Sequence, residues 1–316
     1  MAFYQRESVS GQPVEQVIVQ PSLTIPVRPQ PHPGNFPSPE MNKRLAGIRH
    51  VALDMDGTIY NGGTVFATTG PFLALLGQLG IGYTFLTNNP SKSVPDYLLH
   101  LERLGIRAKA GQLYTSTQAT IEYLRESQSR LRRLFILGTP SMCEEFVRAG
   151  YELTPDSAQH APDAVVVGFD KTLSYARLCR AAWWIKQGKP YFATNPDRVC
   201  PTDEPTVLVD CGSICAALQA ATGLSPTAVL GKPDPAMLLG ILHQHELKPE
   251  QLAMVGDRLY TDVVMARRAG ALGVLVLTGE ATSEEAARHS PPPDLVVADI
   301  AELGERLRAA QKGGTK

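Results

Sequence analysis

Short apolar runs recur along this chain, each closed by polar residues and followed by a stretch whose apolar positions repeat at helical spacing. The runs are HVALDMD from His50, GYTFLTN (82–88), RLFILGT (133–139), DAVVVGFD (163–170), PYFATN (190–195), AVLGK (228–232), LAMVGD (252–257) and GVLVLTG (273–279). Between them lie PFLALLGQLG, PDYLLHLERLG, SMCEEFVRAG, YARLCRAAWWIKQG, SICAALQAATG, PAMLLGILHQHE and DVVMARRAG, several of which end in glycine, a preferred helix stop. The runs are nearly continuous rather than alternating, as strands buried on both faces are. Alternating strands and helices of this kind predict an α/β fold with a parallel sheet covered on both sides.

The pattern starts at Ile48. Upstream, QPSLTIPVRPQPHPGNFPSPE is rich in proline, poor in aromatics and without periodicity, which predicts an extended or disordered arm over residues 1–42. VEQVIVQ (14–20) carries β-forming residues that could instead dock on a neighbour. Further on, the polar passage LRESQSRLRR (124–133) and the turn-rich TGLSPT (222–227) bracket a block with βα units of its own. They predict a core formed by residues 43–127 and 226–316, with a second α/β domain, 128–225, inserted into it. Arg130, Arg132 and Arg133 read as a solvated linker face.

Charge and cysteine content narrow the functions. Thirty Lys and Arg stand against 31 Asp and Glu, a net charge of -1, which lacks the basic excess of a general nucleic-acid or anionic-membrane binder. No apolar run approaches the roughly 18 residues of a membrane span, and the N-terminus does not read as a secretory signal. A cytoplasmic protein is the expectation. The five cysteines form no CxxC pair, which fits reduced thiols better than a disulfide framework or a zinc site. Cys211 and Cys215, four apart on a predicted helix, read as small apolar packing residues. His243 and His245, two apart on a helix, do not share a face and make no metal pair. Asp203 and Glu204 read as loop charges.

Polar residues gather at the ends of the predicted strands: Asp54 and Asp56, Thr87 and Asn88, Asn195, Lys232, and Asp257. In open α/β sheets the ligand crevice lies outside those ends. If the extended geometry persists past Asp54, Asp54 and Asp56 share a face. Two anions about 4 Å apart repel by roughly 4 kcal/mol at an effective dielectric near 20, so a bound divalent cation or a proton passed between them would account for the pair. TNN (87–89), followed by Pro90-Ser91, offers a hydroxyl and backbone N–H groups as an anion cradle. Lys232 in GKPDP could meet a phosphate. GDRLYTDV (256–263) adds Asp257 at a strand end and Asp262 at a helix start. Singly, Asp262 reads as a helix N-terminal acid and Asp257 as a turn former. Together these residues describe a site for a hard cation and a phosphate.

In the order DMDGT, TNN, GKPDP, GDRLYTD, these motifs resemble the haloacid dehalogenase (HAD) superfamily of phosphatases over residues 45–305. TNNPSKS, ATNPD and VLGKPDP, with a long block between the second and third motifs, are similar to its p-nitrophenylphosphatase and ribonucleotide-monophosphatase branch. The resemblance implies a Rossmann-like core with an inserted α/β cap, and a Mg²⁺-dependent phosphomonoesterase acting on a small phosphorylated metabolite. It implies that Asp54 is the nucleophile that forms an aspartyl-phosphate and that Asp56 is the general acid and base. By the same likeness Mg²⁺ is held by the Asp54 carboxylate, the Asp56 carbonyl and Asp257. Thr87, the Asn88 N–H and Lys232 hold the phosphate, and Asp262 orients water or Lys232. Dehalogenases and phosphonate-cleaving relatives lack the second aspartate, so Asp56 points to a phosphatase. A phosphotransferase using the same intermediate, and a non-catalytic binding or regulatory module of the same fold, are the alternatives. Asn195, Asp197 and Arg198, with Asp210 a little later, are the cap's candidate substrate contacts. VDCGS (209–213) departs from the family pattern, with Cys211 where a glycine is expected. Family analogy also makes a homo-oligomer an expectation.

Overall fold

The computed structural model describes residues 38–200 and 205–313. Most of the expected arm, together with Asp203 and Glu204, lies outside the described residues. The arm's boundary at 42 is corrected where it can be seen: Pro39–Gly47 is a helix, capped by the Ser38 hydroxyl accepting from Met41 N at 3.1 Å and started by a proline at the first turn.

His50–Asp54, buried along its whole length, is the pivot of a six-stranded sheet. It pairs in parallel with Gly82–Thr87 on one side and Leu252–Gly256 on the other. Leu272–Val276 and Leu295–Val297 extend the sheet beyond Leu252–Gly256, and Leu113–Thr115 closes the opposite edge. The alternation of strand side chains decides which cover each residue meets. Val51, Leu53, Ala253 and Val255 point into one apolar cluster with Leu45, Phe72, Leu76, Leu303 and Leu307 from flanking helices. Ala52, Leu86 and Met254 point into the other, with Met237, Leu238, Ile241 and Met265. Removing the side chain of a residue such as Leu53, which exposes no surface, costs about 2–5 kcal/mol in cores of this kind.

A second sheet of five parallel strands runs Ala228–Val229, Tyr191–Ala193, Ala164–Val167, Arg133–Leu137, Glu152–Leu153. It has its own apolar clusters, around Phe135, Trp184, Ile185 and Ile214 on one face and Phe146, Val166 and Phe192 on the other. Cys211 and Cys215 pack in the first of these, in keeping with the sequence reading. The fold is thus α/β, a parallel Rossmann-like core with a second α/β layer inserted in its sequence.

The AVLGK run departs from expectation. Sequence analysis places it after the return to the core at 226, but Ala228–Val229 pairs with Phe192 and Ala193, and Leu230 N donates to Ala193 O at 3.0 Å. The chain leaves the second sheet only beyond this strand. Part of the polar passage 124–133 is also structured: Leu124 to Ser127 end the helix Ser116–Ser127, where Leu124 exposes no surface.

Register places the chemistry. Because Asp54 lies opposite Leu86, and Leu53 opposite Val255, the carboxyl ends carrying Asp54, Thr87 and Asp257 finish within a residue of one another. All three open onto one rim.

Candidate active site

After Asp54 the chain turns at Gly57, where φ is +79°, and enters the hairpin formed by Tyr60–Asn61 and Thr64–Val65. Glycine is required twice here. A Cβ on Gly57 would lie 2.4 Å from Asp257 Oδ2, and one on Gly279 only 2.0 Å from the same oxygen. Asp54 is buried and Asp56 exposed, and both line one cavity of about 200 Å³. The hairpin holds Asp56 at the mouth, with Gly62 N donating to Asp56 Oδ1 at 3.3 Å.

Lys232 reaches Asp54 from the far end of the inserted block. Its Nζ donates to Asp54 Oδ1 at 2.5 Å and to Asp262 Oδ1 at 2.8 Å, with all three side chains nearly sealed from solvent. Burial alone would favour the neutral amine, but Asp262 and Asp54 override it and hold the ammonium well above the ordinary lysine range. Asn88 fixes the lysine backbone from both sides: its Oδ1 accepts from Lys232 N at 2.7 Å and its Nδ2 donates to Lys232 O at 3.1 Å. Asn88 Nδ2 also donates to Asp197 of the second layer at 3.0 Å. Thr87 ends its strand with Oγ1 accepting from Asn89 N at 3.1 Å, which tightens the turn after the strand.

Asp262 sits in the π-helical turn Leu259–Val263 and accepts from Arg258 N through Oδ2 at 3.2 Å. Asp257 accepts from Glu280 N through Oδ2 at 2.7 Å, whereas its Oδ1 is buried without a hydrogen-bond partner among the described residues. Carboxylate oxygens of Asp54, Asp257 and Asp262 lie within 4.8 Å of one another. Burial and the neighbouring Asp54 and Asp262 push Asp257 up to about 7. Burial, opposed by Lys232, puts Asp262 at about 6. Three carboxylates facing one ammonium retain an excess of negative charge. With hard oxygen donors and an orphaned buried oxygen, the cluster fits a divalent cation.

The cap candidates separate. Asp197 lines the cavity, as does Asp210, whose Oδ1 accepts from Cys211 N at 2.5 Å and whose pKa burial pushes up to about 7. Asn195 and Arg198 do not line the cavity. Asn195 exposes no surface and spends its Nδ2 on Asn88 O at 2.9 Å, tying the second layer to the loop after Thr87. Arg198 is exposed and absent from the lining; its carbonyl accepts from Asp210 N and Ser213 Oγ. Sequence position alone cannot tell a strand-end residue that faces a cavity from one that fastens two layers.

Sequence reasoning gave no role to Lys92, His100 or Arg258, which also line the cavity. Arg258 pairs with Glu280 at 2.9 Å. Two of these cations lie inside quoted motifs, Lys92 in TNNPSKS and Arg258 in GDRLYTD, and a second charge in a motif loop was the available signal. His245, which makes no metal pair with His243, stacks on His50 with ring centroids 4.3 Å apart.

Comparison with known proteins agrees with this geometry. Residues 51–152 match the family described as Haloacid dehalogenase-like hydrolase, and residues 229–303 match the HAD-hydrolase-like family. The 4-nitrophenylphosphatase of Thermotoga maritima superposes with a TM-score of 0.78 at 38% identity, over 83% of this chain and 98% of that one. Glycerol phosphate phosphatase from Mycobacterium tuberculosis, solved in complex with magnesium, gives a TM-score of 0.75 at 30% identity, covering 83% of this chain and 77% of its own. Ribonucleotide monophosphatase NagD of Escherichia coli is 27% identical over 256 residues, 81% of this chain and 98% of NagD. Fold and site together define a phosphatase built on a parallel α/β core with an inserted cap. The chain belongs to the haloacid dehalogenase-like hydrolases, in their p-nitrophenylphosphatase and NagD-like branch.

Proposed function

We propose that this phosphatase hydrolyses monoesters of small phosphorylated metabolites by passing the phosphoryl group to Asp54. The observation that carries the reading is the Asp54–Lys232–Asp262 array beside the orphaned oxygen of Asp257. Asp54 is the nucleophile: its carboxylate attacks phosphorus and the ester oxygen leaves, giving an aspartyl-phosphate. Asp56, exposed at the mouth, protonates the leaving oxygen and then takes a proton from the water that attacks phosphorus and frees Asp54. Lys232 offsets the repulsion between the Asp54 anion and the phosphate, and Thr87 with the Asn88 N–H steadies the phosphate oxygens.

Asp54, Asp257 and the Asp56 carbonyl would hold Mg²⁺; the Asp262 carboxylate is committed to Lys232 and Arg258 N. Bound there, Mg²⁺ would supply neutralisation of phosphate charge. Residues 128–225, together with the strand Ala228–Val229, would form the cap, and its Asp197 and Asp210 face the leaving group. The names of the relatives span ribonucleotides, sugar phosphates and glycerol phosphate, which supports a small soluble substrate.

The test is turnover of p-nitrophenyl phosphate with and without Mg²⁺, and in Asp54→Asn. Activity that needs the metal and is lost in the variant supports the reading; an Asp54→Asn protein that keeps wild-type activity defeats it. A panel of phosphorylated metabolites, read by released phosphate, then identifies the substrate. Product appearing on an added alcohol instead of as free phosphate would mark a phosphotransferase.

A further inference from the structure

The segment from Asn89 to Ser93 links the phosphate-side strand to the helix Val94–Arg103, and most of it is tied down. Asn89 Oδ1 accepts from Ser91 N at 2.9 Å, and the Asn89 carbonyl accepts from the Tyr97 hydroxyl at 2.7 Å. The Ser91 carbonyl accepts from Thr139 Oγ1 of the second layer at 2.8 Å. Ser93 caps the helix, donating its hydroxyl to Asp96 at 2.7 Å, and Val94 N donates to Glu145 of the second layer at 3.2 Å. Within this braced loop Lys92 is half-buried, its Nζ lies 5.4 Å from the centroid of the Tyr97 ring, and its side chain lines the cavity.

The charges around Lys92 are of both signs. Among the described residues it makes no ion pair. Asp96 is engaged with Ser93, and Asp56 has Gly62 N as one donor. Lys171 of the second layer adds positive charge nearby. Burial first, and then Lys171, push the Lys92 ammonium below the ordinary lysine range, with Asp56 and Asp96 only partly countering them. A half-buried cation on a braced loop, lining the cavity and held in no ion pair among the described residues, is the counterpart of an anion site.

We propose that Lys92 selects the leaving group, holding a second anionic substituent on the part of the substrate that departs from the phosphate. This rests on the phosphomonoesterase reading and deepens it by naming a substrate class, monoesters whose alcohol portion carries a negative charge. The Tyr97 ring supports the lysine side chain from one side and limits where its ammonium can go. Asp197 and Asp210, acids of the cap lining, disfavour the anion on their own side, so the two walls together orient the leaving group.

Two matched substrate pairs test this: ethyl phosphate against 2-phosphoglycolate, and phenyl phosphate against 4-carboxyphenyl phosphate. The members of each pair differ chiefly in one carboxylate, placed near to or far from phosphorus. Wild-type enzyme is expected to favour the anionic member of at least one pair by tenfold or more in kcat/KM. Lys92→Met is expected to bring that ratio close to one, mainly through KM, and Lys92→Arg to keep it. No preference in either pair with wild-type enzyme overturns the proposal, whatever the variants do. So does a preference that survives Lys92→Met, or one that disappears in Arg258→Met while Lys92→Met retains it. Failure of wild-type enzyme to hydrolyse any of the four esters or p-nitrophenyl phosphate would instead reject the phosphatase reading itself.

Discussion

Replacing Lys232 by methionine keeps a straight side chain and deletes only the ammonium. The structure sets the consequence. Nζ is the shared donor to Asp54 at 2.5 Å and Asp262 at 2.8 Å, and Lys232 is 4% exposed. In the variant, two buried carboxylates face each other beside Asp257. Breaking a buried pair by removing one partner costs about 3–5 kcal/mol when the remaining charge cannot neutralise. Here it can, because Asp257 and Asp262 already sit near pKa 7 and 6. Without the lysine Asp262 rises further above its unfolded value. A carboxyl raised in the folded state stabilises at low pH and loses that contribution as pH climbs from its unfolded to its folded pKa. Lys232→Met is therefore expected to lose more stability relative to wild type at pH 8 than at pH 5, read by urea unfolding. Losing one preorganised electrostatic donor costs roughly 2.7–4 kcal/mol at the transition state, so kcat should fall about 10²–10³-fold. A kcat within fivefold of wild type, with equal unfolding curves at both pH values, would refute this account of Lys232.

Gly279→Ala places a Cβ 2.0 Å from Asp257 Oδ2, so the carboxylate must move; the Mg²⁺ concentration for half-maximal activity is expected to rise at least tenfold, measured by metal titration. Asn88→Ala removes three hydrogen bonds, two of them to the Lys232 backbone, and at about 1 kcal/mol each should cost about 3 kcal/mol of stability by urea unfolding, with kcat falling in parallel. His50 is buried against Thr84 at 2.9 Å, and burial followed by His245 lowers its pKa from 6.5 to about 4. A folded pKa below the unfolded one gives stability that is complete above pH 6.5 and lost as pH falls toward 4. The contribution is about 3 kcal/mol at 1.36 kcal/mol per unit, and His50→Leu should remove that part of the pH dependence.

The core and its chemistry were legible because the same residues serve both. Buried strands of a parallel sheet must be apolar through their length, so VALD, TFLT and AMVG announce themselves, and the acids that interrupt them at the carboxyl end announce the site. Leu113–Thr115 and Leu295–Val297 are not legible, because edge strands this short carry too few apolar residues to form a run. AVLGK reads as a strand, but nothing in an apolar run tells which of two parallel sheets it joins; packing of Leu230 with Phe192 decides that. In the site, Asp54, Lys232, Asp257 and Asp262 could be grouped because each ends a strand or opens a helix. Asn195 ends a strand equally well and faces Asn88 instead, a choice made by the contact between layers. Lys92 lies in the TNNPSKS motif, but its meaning depends on which charges surround it in three dimensions.

The phosphoryl transfer proposed for Asp54 can be caught directly. Enzyme mixed with Mg²⁺ and p-nitrophenyl phosphate, quenched during turnover, reduced with borohydride and digested, reports any acyl phosphate as homoserine in peptide mass spectra. Homoserine at position 54 during turnover, absent without substrate and absent in Asp54→Asn, is the expected result. Phosphate release at full rate with no homoserine at 54, or with the label on a different aspartate, would contradict the assignment of Asp54.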